Sequence, residues 1–260
     1  MILRGSLMAV GVAGLMAVFL FGQDKPARLT FDVESIHPSP ADEQGGGIRA
    51  LTGGQAYTAR NAPVKLIISL MYKVPMRQIS GGPDWLNSDR WDIDAKADKP
   101  YNLDDLHTMF QNLLVDDFKL KFHIETREGP VYALLIDKTG LKMKANDKPQ
   151  DYEIPVQGPP AAIVGKRVPM EYLSWWLGQQ LQNDGRPVVD RTGLTGNFDF
   201  ALSFTPELPP GINKDNLPPG FLDHPSIFEA VKQDLGLRME PQKGPVPYYV
   251  IDHVEKPAAN

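Results

Sequence analysis

The string Val188-Val189-Asp190-Arg191-Thr192-Gly193-Leu194-Thr195-Gly196 holds the residue types that could do chemistry most directly. An apolar pair that delivers an aspartate into a Thr-Gly turn is the layout of an aspartate that accepts a phosphoryl group. It is also the layout of one half of a protease carboxylate pair. The first chemistry needs several membrane helices and a nucleotide-binding domain, for which 260 residues of this hydropathy leave no room. The second needs aspartate directly before Thr-Gly and a partner aspartate sharing its proton, whereas Arg191 intervenes here. The string therefore reads as a turn closed by its Asp and Gly.

Other sources of reactivity are thin. His37, His107, His123, His224 and His253 lack metal-ligand spacing, and no HExxH occurs. Cysteine is absent, which excludes thiol catalysis, disulfides and thiolate-bound metal. There is no GxSxG, no SxxK with its accessory motifs, and the glycine clusters Gly45-Gly46-Gly47, Gly53-Gly54 and Gly81-Gly82 form neither a P-loop nor a GxGxxG. Asp104 and Asp105 suit the N-terminal dipole of a helix. No catalytic residue, metal or cofactor is expected, and an enzyme would have to gather dispersed groups such as Asp92, Asp190, Asp199 and His253 in one pocket.

The aromatics give the positive signal. Trp175 and Trp176 are neighbours on an expected helix, about 100° apart, so one narrow apolar stripe does not bury both. Trp85 falls in the Gly/Pro-rich loop Gly81-Gly82-Pro83-Asp84, and Trp91 opens the triplet Trp91-Asp92-Ile93. These four tryptophans form the candidate binding set, because exposed aromatics on loops and helices mark contact surfaces.

The elements that must position them are legible from the N-terminus onward. Arg4, the apolar run Leu7–Phe21 and the small Gly22 before polar residues have the layout of a secretory signal peptide over residues 1–22, cleaved after Gly22. The run is shorter than the roughly 20 residues of a spanning helix, and an uncleaved N-terminal anchor is the variant reading. Pro/Gly-rich breaks fall at 38–47, 144–161 and 206–225, the second expected as a linker and the third as an insertion.

Between the breaks the chain repeats itself. With an offset of 115, Leu120, Glu125, Gly129, Pro130, Val131, Ile136 and Asp137 meet identical residues at Leu235, Glu240, Gly244, Pro245, Val246, Ile251 and Asp252. Apolar alternation on either side of Gly-Pro reads as a β-hairpin in each copy. Upstream, a strand enters a helix at Pro63 and again at Pro169, with apolar stripes Leu66, Ile67, Leu70, Met71 and Tyr172, Leu173, Trp176, Leu177. The aromatic-Asp-apolar triplets Trp91-Asp92-Ile93 and Phe198-Asp199-Phe200 follow, and helices over Leu103–Phe118 and Ser226–Leu235 close the units. The expected fold class is α+β: a tandem duplication of a β-α-β-β-α-β-β module, each a small sheet with two helices on one face, over 57–143 and 162–257, preceded by a strand and Gly-rich loop in 23–56.

Ile79-Ser80-Gly81-Gly82-Pro83-Asp84-Trp85-Leu86, Arg90-Trp91-Asp92-Ile93-Asp94-Ala95-Lys96, Arg186-Pro187-Val188-Val189-Asp190-Arg191-Thr192-Gly193-Leu194-Thr195-Gly196 and Val250-Ile251-Asp252-His253-Val254-Glu255-Lys256-Pro257 closely resemble a large paralogous family of exported proteins of unknown function, expanded in soil acidobacteria. The resemblance spans residues 31 to 257 and brings no catalytic residues with it. Related domains attached to membrane metallopeptidases of the antibiotic-sensor type imply a sensing or partner-binding role. By element order, each half also resembles the short N-terminal domain of secretins and TonB-dependent receptors, an interaction module of the periplasm.

A formal net charge of −5 and the lack of a concentrated basic stretch argue against a nucleic-acid partner. The reading is a non-catalytic, exported binding protein of the cell envelope, periplasmic or secreted, that offers a groove between modules or a sheet edge to a protein or peptide. Membrane contact is expected only through an uncleaved N-terminal segment. A small-ligand or glycan binder stacking on Trp85 and Trp175 or Trp176 is the alternative, and a hydrolase with a dispersed site stands third.

Overall fold

The computed structural model describes residues 28–181, 183–208, 211, 217 and 219–258, so the expected signal peptide over 1–22 lies outside the described residues. The chain is α+β. No helix among the described residues is long and apolar enough to cross a membrane.

Strands β1 (Val33–Pro38), β2 (Gly47–Ala50), β3 (Ala56–Pro63) and β5 (Arg90–Lys96) form an antiparallel sheet in the order β1-β5-β3-β2. Along β5, Ile93 and Ala95 are buried while Asp94 and Lys96 are exposed, the period of two that turns one face to a core. That face is covered by α1 (Val64–Met71) and α3 (Leu103–Asp116). In α3 the buried Leu103, Leu106, Phe110 and Leu113 recur at spacings of three and four, and the Asn102 side chain caps the helix by accepting the Asp105 N–H at 2.9 Å. The buried stripe of α1 is Val64, Ile67, Ile68 and Met71, rotated from the expected one, with Leu66 and Leu70 half-buried.

The second half repeats this order. Strands β9 (Ile163–Pro169) and β11 (Asn197–Leu202) are flanked by two short edge strands, β7 (Lys144–Ala145) and β8 (Val156–Gln157), in the order β7-β11-β9-β8. Residues 144–161, expected as a linker, thus supply both edges of this sheet. Helix α4 (Met170–Gln180) packs on it together with α5 (Ile227–Ala230), which runs into a π-turn over Val231–Leu235. Ser226 and Glu229 form a capping box at the start of α5, and Gly236, at φ 68°, ends the turn.

The expected hairpins are not formed. Residues 121–136 make one continuous strand, β6 (Lys121–Ile136), and residues 237–253 make another, β12 (Leu237–His253). The two run antiparallel from end to end, with Gly129 opposite Gly244. The Gly-Pro pairs are therefore mid-strand, and the reason lies in alternation. Tyr132 donates its N–H to Pro187 and Leu134 accepts from Arg191, so the even-numbered backbone groups of β6 point away from β12. Pro130 is one of these, as Pro241, Pro245 and Pro247 are on the opposite parity of β12. Each lacks an N–H only where the β6–β12 ladder needs none.

A central sheet results, in the order β10-β6-β12-β4, with β4 (Ile79–Gly81) and β10 (Val188–Asp190) at its edges. The halves exchange strands here. The first-half β4 lies parallel to the second-half β12, and the second-half β10 lies parallel to the first-half β6. Two cores cover one face of this sheet, one including Tyr72, Phe122 and Tyr249, the other including Tyr132, Leu134 and Leu237. The halves meet between them.

Candidate functional site

The aspartates that could have served an enzyme are engaged by backbone. Asn61 at φ 47° and Arg167 at φ 51° hold left-handed positions in β3 and β9, and their N–H groups donate to Asp92 Oδ1 and Asp199 Oδ1, both at 2.8 Å. The Ser39 hydroxyl adds a bond of 2.6 Å to Asp92, and Asn146 Nδ2 donates to both oxygens of Asp199. Burial pushes the Asp92 carboxyl up, but the Asn61 N–H and the Ser39 hydroxyl outweigh it and hold it below its ordinary value. Asp190 Oδ1 accepts the Thr192 N–H at 2.8 Å and hydroxyl at 2.7 Å, the turn closure its sequence indicates, and Asp137 does the same with Thr139. His253 is exposed and bonded to Glu255 at 2.8 Å. Among the described residues, no group of three His, Asp or Glu side chains could hold a metal ion.

The four tryptophans divide. Trp91 is 4% exposed, with its ring 5.6 Å from Phe118, which withdraws it from any stacking surface. Trp85 is half-buried against the first core with Lys256 Nζ 5.7 Å from its ring, and Trp176 is half-buried beside Phe204. Trp175 stands on the stripe of α4 that faces the junction of the halves.

That junction is a groove of ≈ 340 Å³. Lys73, Pro75 and Gln78 come from the first half, and Glu171, Ser174, Trp175 and Gly178 from α4. Pro187 and the strand β10 add a wall, and Pro245 and Pro247 come from β12. The two prolines share the face of β12 that carries the core residues Leu237, Met239, Tyr249 and Ile251. Gly178 faces β10, where a Cβ on it would reach ordinary van der Waals contact with Val188 N at 3.5 Å. Lys73, left-handed at φ 50°, donates to Asp104 at 3.1 Å.

Polar satisfaction distinguishes this groove. Among the described residues six buried side-chain polar atoms have no partner, and three belong to its lining: Gln78 Nε2, Ser174 Oγ and Trp175 Nε1. Gln78 is 4% and Ser174 5% exposed. Two of the three are pure donors and the third is a hydroxyl. Among the described residues no base is hydrogen-bonded to Ser174 Oγ. The three atoms lie just behind the apolar walls, shielded from solvent, so a carbonyl oxygen reaches them only where a wall side chain shifts. Of these three residues only Trp175 stands among the binding candidates expected from the sequence. The small residues Ser174 and Gly178, four apart on the inner stripe of α4, were the available signal that the helix leaves room there.

No curated protein and no solved structure matches the chain. Residues 65–254, most of the chain, match the model of the family described as protein of unknown function, DUF3738, and the chain belongs to that family.

Proposed function

We propose that the protein is an exported interaction protein that takes an extended peptide segment of a partner into the groove between its halves. The carrying observation is the concentration of unpartnered polar atoms there. A buried polar group left unsatisfied costs about 1–3 kcal/mol, and native chains retain few of them. A ligand that parts the walls slightly and brings acceptors to Gln78, Ser174 and Trp175, whose polar atoms are shielded in the free protein, recovers part of that cost, and the proline and valine walls favour apolar side chains between the contacts. An extended peptide presents both at regular intervals. Export is supported by Arg4 and the apolar run Leu7–Phe21, and descent of the halves from one unit by the identities at an offset of 115.

The test is calorimetric titration of the purified chain with a panel of short synthetic peptides rich in valine and proline. Binding weakened by about 2 kcal/mol in Trp175→Ala and unchanged in Trp176→Ala is the expected result. Binding indifferent to Trp175→Ala, or no binding by any peptide, counts against the groove.

A further inference from the structure

We infer that the peptide taken by the groove carries an arginine side chain, which pairs with Glu171 and lies over the indole of Trp175; this rests on the peptide reading above. The ionisable residues on the groove lining are Lys73, Glu171 and Asp190. The Lys73 ammonium is already held by Asp104 at 3.1 Å and its side chain is only 19% exposed. Glu171 has no ion-pair partner among the described residues, and Asp190 uses Oδ1 for the Thr192 turn. Two carboxylates therefore face the groove against one cation that is engaged elsewhere, and an incoming positive charge complements them.

The helix fixes where that charge goes. Glu171, Trp175 and Gly178 line the groove from α4 at spacings of four and three, one stripe of the helix. Glu171 precedes Trp175 by about one turn, so a planar cation paired with the carboxylate is within reach of the indole. Glu171 lies near enough to Tyr249 that, after burial, its negative charge helps to raise the phenol. Guanidinium suits this arrangement better than ammonium, because it forms forked bonds to a carboxylate and stacks on an aromatic face.

The test uses the full chain and three peptides that share a valine- and proline-containing backbone and carry arginine, citrulline or glutamate at one position. Citrulline keeps the shape of arginine without its charge. The arginine peptide is expected to bind about fivefold tighter than the citrulline peptide at low salt, with the gap narrowing as salt is added. Glu171→Gln should close the gap, chiefly by weakening the arginine peptide; a gap that persists in this variant overturns the pairing with Glu171. Equal affinity for arginine and citrulline peptides, with both still weakened by Trp175→Ala, overturns the arginine assignment and leaves the peptide groove standing. Tightest binding by the glutamate peptide overturns it too and points to Lys73. If none of the three binds, both readings fall.

Discussion

Gly129 and Gly244 face one another at the middle of the β6–β12 ladder, and each lies beneath the valine two residues past the other: a Cβ on Gly129 would stand 3.3 Å from Val246 Cγ2, and one on Gly244 3.4 Å from Val131 Cγ2. Both valines are 3% exposed. Gly129→Val should therefore cost about 1–3 kcal/mol through overpacking, read as a lower urea midpoint. In a double-mutant cycle with Val246→Ala the two changes should couple by at least about 0.5 kcal/mol. Additive costs would mean that the contact is not what excludes a side chain.

The pairing of β3 with β5 shifts register between Ala59 and Ala62, a bulge that holds Asn61, and Asp92 fastens it by a charged acceptor, so its contribution depends on pH. Its carboxyl is held below the ordinary value in the folded state, so its stabilisation is present above the unfolded pKa and is lost as pH falls through the folded one. Asp92→Asn keeps the shape and an acceptor oxygen but not the charge. We expect it to cost about 1 kcal/mol at neutral pH and progressively less as the solution is acidified. A cost that does not change with pH, in urea midpoints measured across that range, would remove the charge from the explanation.

His107 works in the opposite chemical sense. It is 8% exposed, its Nε2 lies 3.1 Å from the Tyr57 hydroxyl, and its Nδ1 has no partner among the described residues. Burial, followed by the nearby Lys73 charge, pushes its pKa down from 6.5 to about 4. The unfolded chain takes up this proton first, so stability falls as pH drops from about 6.5 to about 4. The loss approaches about 3 kcal/mol. His107→Gln should flatten this segment of the stability profile. Unchanged steepness in the variant would assign the acid sensitivity to other groups.

Ser174 and Gln78 offer a separation of stability from function. Removing a buried polar atom that has no partner relieves the fold, so Ser174→Ala and Gln78→Met should raise stability by about 1 kcal/mol each, while weakening peptide binding in the same preparations. Lower stability in both variants would show that these atoms are satisfied in solution.

Much of the fold was legible because the signals were local. The alternation in β5, the capped stripe of α3 and the entry of Pro63 and Pro169 into helices are each decided within a few residues. The central sheet was misread because Gly-Pro between apolar alternations describes a hairpin turn and a mid-strand crossing equally well. The distinction lay in parity: Pro241, Pro245 and Pro247 stand at even spacings of four and two, which suits one edge of a strand and not a turn. The groove was less legible still. Its lining comes from both halves, brought together by pairings between distant strands, and neither Gln78 nor Pro245 carries a local mark of that meeting. Trp91 shows the converse, since only the packing against Phe118 reveals that this aromatic faces inward.

The exchange of β4 and β10 has a consequence for what counts as a unit of this protein. Each half lends a strand to the long strand of the other and takes one in return. A chain cut between 145 and 156 would thus yield two fragments, each with an unpaired 16- or 17-residue ribbon. We expect such fragments to aggregate when separate, through the exposed strand edges, and to regain structure when mixed, as circular dichroism of the two pieces and of their mixture would read. The sheet order of the first half recurs in the second, while the long strands find their full-length partners only across the halves.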